Sequence, residues 1–227
     1  MIPRIVNSEQ ISERFGYLSM SDIVVVAGGN CELSLYRDIL SDAFLIGADR
    51  GALYLVDNGY RVDMAVGDFD SVSETEMERI RTNSVKIDRL SAQKDETDLE
   101  YAIKCAHNIP GTIHILGATG SRLDQTMSAI NLLKLCHDGH KDAYIYDKNN
   151  RIRLTEGHTV IRKSRYRYVS LIPYEDTITG VSLKGFKYSG ENITLERKTS
   201  LGISNEITED EAQITCRGYV FVFETED

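Results

Sequence analysis

The chain has 227 residues, enough to bury a sizeable core as one large domain or two small ones. Its residues are 41% hydrophobic and 27% charged with only three prolines, which describes a folded soluble protein and excludes long disordered linkers. A net charge of -9 without a basic cluster argues against nucleic acid or an anionic membrane surface as a partner.

Residues 1–17 are polar and charged throughout and lack the apolar centre of a signal peptide. No apolar run approaches the ~20 residues that a membrane span needs. Cys31, Cys105, Cys136 and Cys216 are scattered, with no Cys-x-x-Cys pair and no nearby histidines. That usage fits reduced thiols in the cytoplasm and gives no reason to expect zinc.

In chain order, the first two thirds repeat one theme, a short apolar strand that ends in glycine or aspartate and gives way to a helical pattern. Residues 23–27 run into Gly28-Gly29, residues 44–48 into Asp49, residues 64–66 into Gly67-Asp68, and residues 113–116 into Gly117. Continuous apolar strands alternating with helices predict a mostly parallel α/β sheet. One helix is expected from Thr97, which with Glu100 has the spacing of a capping box; Leu99, Ala102, Ile103 and Ala106 form its apolar stripe. A second is expected after Ser121, with Leu123, Met127, Ile130 and Leu133 as its buried face.

From about Lys148 the pattern changes to short segments rich in Val, Ile, Thr and Tyr. Strands are expected at 159–161, 168–172, 179–183, 193–195, 212–216 and 219–223, forming a small antiparallel β-sandwich. The polar cluster Asp147-Lys148-Asn149-Asn150 marks the expected boundary, giving an α/β domain over 1–148 and a β-sandwich over 149–227.

In an open α/β sheet, ligands bind outside the carboxyl ends of the strands. The acidic residues there are Asp49, the pair Asp68 and Asp70, and Asp95 and Asp98 flanking Thr97. One aspartate at a strand end is usually a turn former or helix cap, but three strand ends doing the same thing point to a cation. With no cysteine or histidine nearby, hard oxygen ligands select magnesium, which commonly bridges to substrate phosphates. Thr97 supplies the helix cap, so capping does not require the carboxylate of Asp98. Between a strand and a helix lies Gly117-Ala118-Thr119-Gly120-Ser121-Arg122-Leu123-Asp124, where glycine backbone and a helix N-terminus suit a phosphate and Arg122 could contact it. It matches neither the Walker A pattern nor the dinucleotide fingerprint.

Taken together, the segments Ala48-Asp49-Arg50-Gly51-Ala52, Gly67-Asp68-Phe69-Asp70-Ser71, Lys94-Asp95-Glu96-Thr97-Asp98, Gly117 to Gln125, and Ser200-Leu201-Gly202-Ile203-Ser204-Asn205-Glu206 resemble the thiamine pyrophosphokinase family over almost the whole chain. The resemblance implies an α/β nucleotide domain followed by a β-sandwich, and a homodimer with shared active sites. It also implies transfer of pyrophosphate from ATP to the hydroxyl of thiamine, giving thiamine pyrophosphate and AMP. By motif, it gives Asp68, Asp70 and Asp98 the magnesium and catalytic roles. Asp49, Thr97, Gly117, Thr119, Gly120, Arg122 and Asp124 fall to ATP, and Tyr188, Ser204 and Asn205 to thiamine. Arg50, Ser121 and Gln125 depart from residues common at those positions: a glycine, a glycine and a histidine.

Two other readings stand beside this one. Asp68-Phe69-Asp70-Ser71-Val72 after an apolar strand also resembles the nucleophile motif of haloacid-dehalogenase-like phosphatases, which form an aspartyl-phosphate. Such enzymes need a further acidic pair far downstream, and the β-rich tail offers none. A non-catalytic thiamine or nucleotide sensor would be expected to have lost a magnesium carboxylate, whereas Asp68, Asp70 and Asp98 are all present.

Overall fold

The computed structural model describes residues 22–29, 31–91, 93 and 95–227; residues 1–17, read above for an export signal, and Lys94 of the third motif lie outside the described residues. The chain divides into two compact units between Ala143 and Tyr144. No helix among the described residues is long and apolar enough to cross a membrane.

In the first unit, β1 (Ile23–Val26), β2 (Phe44–Ala48), β3 (Val62–Gly67), β4 (Ser84–Arg89) and β5 (Ile113–Leu116) form a parallel sheet in the order β5-β1-β2-β3-β4. Strands β1 and β5 are buried at every position, as the unbroken Val and Ile runs require of strands covered on both faces. The helices are α1 (Arg37–Leu40), α2 (Arg50–Asp57), α3 (Glu74–Asn83), α4 (Asp98–Ala106) and α5 (Leu123–Asp138). The strand order matters for function. Strands β1 to β4 build outward in one direction and β5 returns to the other side of β1, so the order reverses between β1 and β5, where α/β sheets open a crevice for ligands.

The second unit is an antiparallel β domain organised by two long strands, β7 (Asn150–Arg162) and β12 (Glu211–Thr225), paired along most of their length. Strand β12 shifts register between Cys216 and Val220, beside Gly218 at φ 113°, and opposite it Gly157 of β7 has φ 67°. The first half of β12 pairs with β9 (Thr177–Lys184), which carries β10 (Gly190–Glu196). Its second half pairs with β8 (Tyr168–Pro173), which carries β11 (Asn205–Glu206). A bend in shared strands thus folds one ladder into two halves around Ile161, Val169, Leu171, Val181, Ile214 and Val222.

The structure corrects several expectations. Segments 212–216 and 219–223 are one strand, because a glycine bulge bends β12 without ending it. Asp147 to Asn150 form the hairpin turn from β6 (Ala143–Tyr146) to β7, in which Asp147 N–H donates to Asn150 O at 3.0 Å. On α5 the buried residues are Ala129, Ile130, Leu133 and Cys136, whereas Leu123 is 76% and Met127 60% exposed. The helix cap there is Arg122, with no side-chain cap bond. At α4 the Thr97 hydroxyl accepts from Glu100 N–H at 3.2 Å, but the Glu100 carboxylate pairs with Lys104 at 2.7 Å, so only half of the expected box forms. A complete capping box sits instead on α3, between Ser73 and Glu76.

Candidate active site

The carboxyl ends of β1, β2 and β5 surround a cleft of about 760 Å³ in the first unit. Its floor is two glycine-bearing loops packed together. Gly29 N–H donates to Gly117 O at 2.8 Å, and a methyl group on Gly29 would stand 2.6 Å from Thr119 O. Gly117 has φ 67° and a methyl there would meet Ala27 O at 2.5 Å, so both positions need glycine for close approach and Gly117 also for its backbone angle. Thr119 and Gly120 continue the wall, and Gly120 N–H donates to Thr126 Oγ1 at 3.3 Å. Arg122 stands at the start of α5, where its Nε and Nη2 grip Asp124 at 3.2 and 2.5 Å; both side chains are exposed.

On the opposite wall, adjacent parallel strands bring their terminal carboxylates together. Asp49 N–H donates to Val66 O at 2.7 Å, which sets the end of β2 beside the end of β3. Single carboxylate oxygens of Asp49, Asp68 and Asp70 consequently lie within 4.8 Å of one another. The backbone is bent to achieve this: Asp49 has φ 49° and Phe69 φ 59°, both in the left-handed region that costs side chains of this kind roughly 1–3 kcal/mol. Asp68 Oδ1 accepts from Asp70 N–H at 3.2 Å, and Ser71 Oγ donates to Asp49 Oδ2 at 2.6 Å.

Burial raises the Asp49 carboxyl above its usual value; the Ser71 bond opposes this, and the nearby Asp98 and Asp68 charges add to it. The other oxygen, Asp49 Oδ1, is buried without a hydrogen-bond partner. Three clustered carboxylates, with an unsatisfied oxygen on Asp49, fit a small divalent cation such as magnesium.

The raised carboxyl has a stability consequence. An aspartate whose folded pKa exceeds its unfolded value destabilises the fold where it is ionised, and that penalty fades as pH falls through the folded pKa toward the usual value near 3.8. Without added metal, Asp49→Asn is therefore expected to raise Tm at pH 7, with the gain shrinking in acid. A melting-temperature difference that is negative at pH 7, or flat from pH 7 to pH 4, counts against this account.

Of the residues expected at the site, Asp49, Thr97, Asp98, Gly117, Thr119, Gly120, Arg122 and Asp124 all line this one cleft, with Asp68 and Asp70 joined to it through the Asp49 cluster. Asp98, expected among the magnesium ligands, is the first residue of α4 and is not one of the three clustered carboxylates, although its charge reaches Asp49. Asp49, expected only beside ATP, belongs to that cluster. The pairing of β2 with β3, which the sequence does not show, places it there. Ser71, which fixes Asp49, was missed because a serine after two aspartates reads as an ordinary turn.

In the second unit Tyr188 is 64% exposed and Ser204 has φ 59° with its N–H on Ser170 Oγ at 2.9 Å. Asn205 is buried, and its amide works on backbone. Oδ1 accepts from Tyr188 N–H and Glu206 N–H, both at 3.0 Å, and Nδ2 donates to Tyr188 O at 2.9 Å. Asn205 thus clamps the segment that presents Tyr188.

Comparison with known proteins agrees with this geometry. Residues 36–145 match the family model "Thiamin pyrophosphokinase, catalytic domain" and residues 157–221 match "Thiamin pyrophosphokinase, vitamin B1 binding domain". The chain belongs to the thiamine pyrophosphokinase family. It is 35% identical over 195 residues to the thiamine pyrophosphokinase of Bacillus subtilis (strain 168), covering 83% of this chain and 90% of that one. The crystal structure of a thiamine pyrophosphokinase from Bacillus subtilis superposes with a TM-score of 0.83 at 31% identity, over 91% of this chain and 99% of the other. The yeast thiamin pyrophosphokinase structure shares the fold with a TM-score of 0.77 at 16% identity, over 96% of this chain and 89% of that one. Thiamine pyrophosphokinase membership favours the pyrophosphokinase over the phosphatase and sensor readings, and makes the chain an enzyme of the thiamine diphosphokinase class.

Proposed function

We propose that the cleft holds ATP and magnesium while the hydroxyl of thiamine attacks the β-phosphorus, forming thiamine pyrophosphate and releasing AMP. The observation that carries this reading is the carboxylate cluster of Asp49, Asp68 and Asp70 facing a glycine-walled cleft at the switch point of the sheet. Asp68, Asp70 and Asp98 are the proposed metal and catalytic carboxylates, with Asp49 supporting them. Magnesium, when bound, neutralises phosphate charge and polarises the phosphoryl oxygens.

The chain's own residues position the reactants. Backbone N–H groups along Gly117, Thr119 and Gly120, with the N-terminus of α5, receive the nucleotide phosphates. Thr97 shapes the wall beside them, and Arg122 with Asp124 contacts the nucleotide. Asp68 orients the attacking hydroxyl or takes its proton as the new bond forms. The new bond joins thiamine oxygen to the β-phosphorus, and the bond to the α,β-bridging oxygen breaks, that oxygen leaving on AMP. Most of the acceleration then comes from positioning and electrostatics, as in other phosphoryl transfers.

Thiamine is assigned to the second unit through Tyr188, Ser204 and Asn205, supported by the vitamin B1 binding description of the model matched at 157–221. The nucleotide domain and the thiamine domain are proposed to extend over 1–148 and 149–227. The enzyme is proposed to act in the cytoplasm as a homodimer with shared active sites. Incubation with ATP, magnesium and thiamine is expected to give AMP and thiamine pyrophosphate in equal amounts, read by chromatography. Stoichiometric ADP would sink the proposal, and phosphate released without thiamine would restore the phosphatase reading.

A further inference from the structure

Among the described residues two cations line the cleft, Arg50 and Arg122, and they are committed differently. Arg122 gives two donors to Asp124 in a fork. Arg50 gives Nη1 to Ser71 O at 3.1 Å, and among the described residues it forms no ion pair. Its remaining donors are left over in a cleft otherwise lined by Asp49, Glu96, Asp98 and Asp124.

Arg50 also breaks a local rule. It is the first residue of α2, the Asp49 cap contributes no side-chain bond, and the first turn carries no acidic residue. A cation there faces the positive end of the helix dipole. The Glu76 carboxylate lies close enough to feel the Arg50 charge, but no ion pair forms between them, and a helix-start cation so lightly compensated is expected where function supplies a further counter-charge. The side chain is anchored too: a methyl group on Gly28 would lie 3.4 Å from Arg50 Cβ, and Ser71, which accepts the guanidinium bond, holds Asp49 Oδ2 at 2.6 Å. Through Ser71 the guanidinium and the carboxylate cluster share one support.

We propose that Arg50 is a substrate-binding residue that grips the pyrophosphoryl group being transferred. The identity of the anion rests on the function proposed above; the siting of the cation does not. Phosphate charge near the Asp49, Asp68 and Asp70 cluster belongs to the reacting end of the nucleotide, and Arg50 shares Ser71 with that cluster. The AMP portion falls to the loop after β5 and to Arg122. A planar fork with its orientation fixed by Ser71 suits two oxygens of a diphosphate better than an ammonium would.

The test combines direct binding with kinetics on the full chain. Calorimetric titration with inorganic pyrophosphate in magnesium is expected to show affinity falling roughly 10- to 100-fold in Arg50→Gln, the loss typical of hydrogen bonds to a charged group. The KM for ATP should rise similarly, while the KM for thiamine and inhibition by AMP stay within about twofold of the parent. Arg50→Lys should recover part of the loss, since it keeps the charge without the fork. Unchanged pyrophosphate affinity in Arg50→Gln overturns the proposal, as do equal losses for pyrophosphate, AMP and thiamine, which mean general damage to the cleft. A parent that fails to bind pyrophosphate overturns it as well. If the parent makes no thiamine pyrophosphate but Arg50→Gln still abolishes pyrophosphate binding, the proposed function fails and the Arg50 site stands.

Discussion

Replacing Asp70 by Asn is expected to lower kcat on the order of 10²- to 10³-fold while leaving the fold intact, because it removes an anionic oxygen from the cation cluster without changing side-chain shape. Asp70 is exposed at the tip of the β3 loop, and its backbone N–H, which supports Asp68, is untouched. The variant keeps the loop and relieves repulsion among three carboxylates, so its melting temperature should equal or exceed the parent's in the absence of metal. The magnesium concentration for half-maximal rate should rise. Stopped assays across a magnesium series, with a melting curve on the same sample, check both parts. Near-parental turnover at ordinary magnesium would remove Asp70 from the site.

The largest structural effect is expected from Gly51→Ala. A methyl group at Gly51 falls on the carbonyl oxygen of Val26, far inside contact distance, and lies 3.1 Å from the Ala27 carbonyl carbon. The obstacle is backbone at the end of the central strand β1, which cannot rotate away as a side-chain tip could. Helix α2 has to lift off the sheet, at a cost of about 3 kcal/mol or more in unfolding free energy. Gly59→Ala provides the contrast: Gly59 has φ 82° with nothing within 4 Å of an added methyl, so only backbone strain opposes it. That cost is about 1 kcal/mol. Urea unfolding of the two variants and the parent measures the gap, and equal midpoints would refute the steric argument. Because Asp49 is the N-cap of α2, surviving folded Gly51→Ala should also have a displaced carboxylate cluster.

Most of the site was legible because the chemistry sits where apolar strands stop. Val24, Val25 and Val26 cannot be read otherwise than as a buried strand, and the glycines after them must then stand at its carboxyl end. What escaped the sequence was lateral position. Nothing local tells that the ends of β2 and β3 adjoin, so Asp49 reads as a neighbour of ATP until strand pairing sets it beside Asp68. The polar strand β4, Ser84–Arg89, lies at the sheet edge and lacks the apolar run that marks a covered strand. Leu123 and Met127 continue the helical spacing of Ile130 into the first turns of α5, yet burial starts only at Ala129, because periodicity records a face and not where the packed partner begins. The part of Asn205 in holding the backbone was not legible in the sequence. An amide can mimic backbone as readily as it can bind a ligand, and here both of its polar atoms go to main chain.

The two bent strands of the second unit have a further consequence for biosynthesis. Strand β7 pairs over residues 150–162 with β12 over residues 211–225, and β8 and β9 also take their places from β12. During translation every one of these strands leaves the ribosome before its central partner does. At the usual elongation rate of ~5–20 residues per second, β7 waits several seconds with an open edge. The first unit, whose five parallel strands have all been made by β5, can condense in that interval. Arg151, Arg153 and Arg162 of β7 are charged side chains of the kind that deter pairing at an open edge in the meantime. Ribosome stalling within residues 163–210 is therefore the step at which this enzyme is most exposed to aggregation, and rare codons there should depress soluble yield more than the same codons placed ahead of β5.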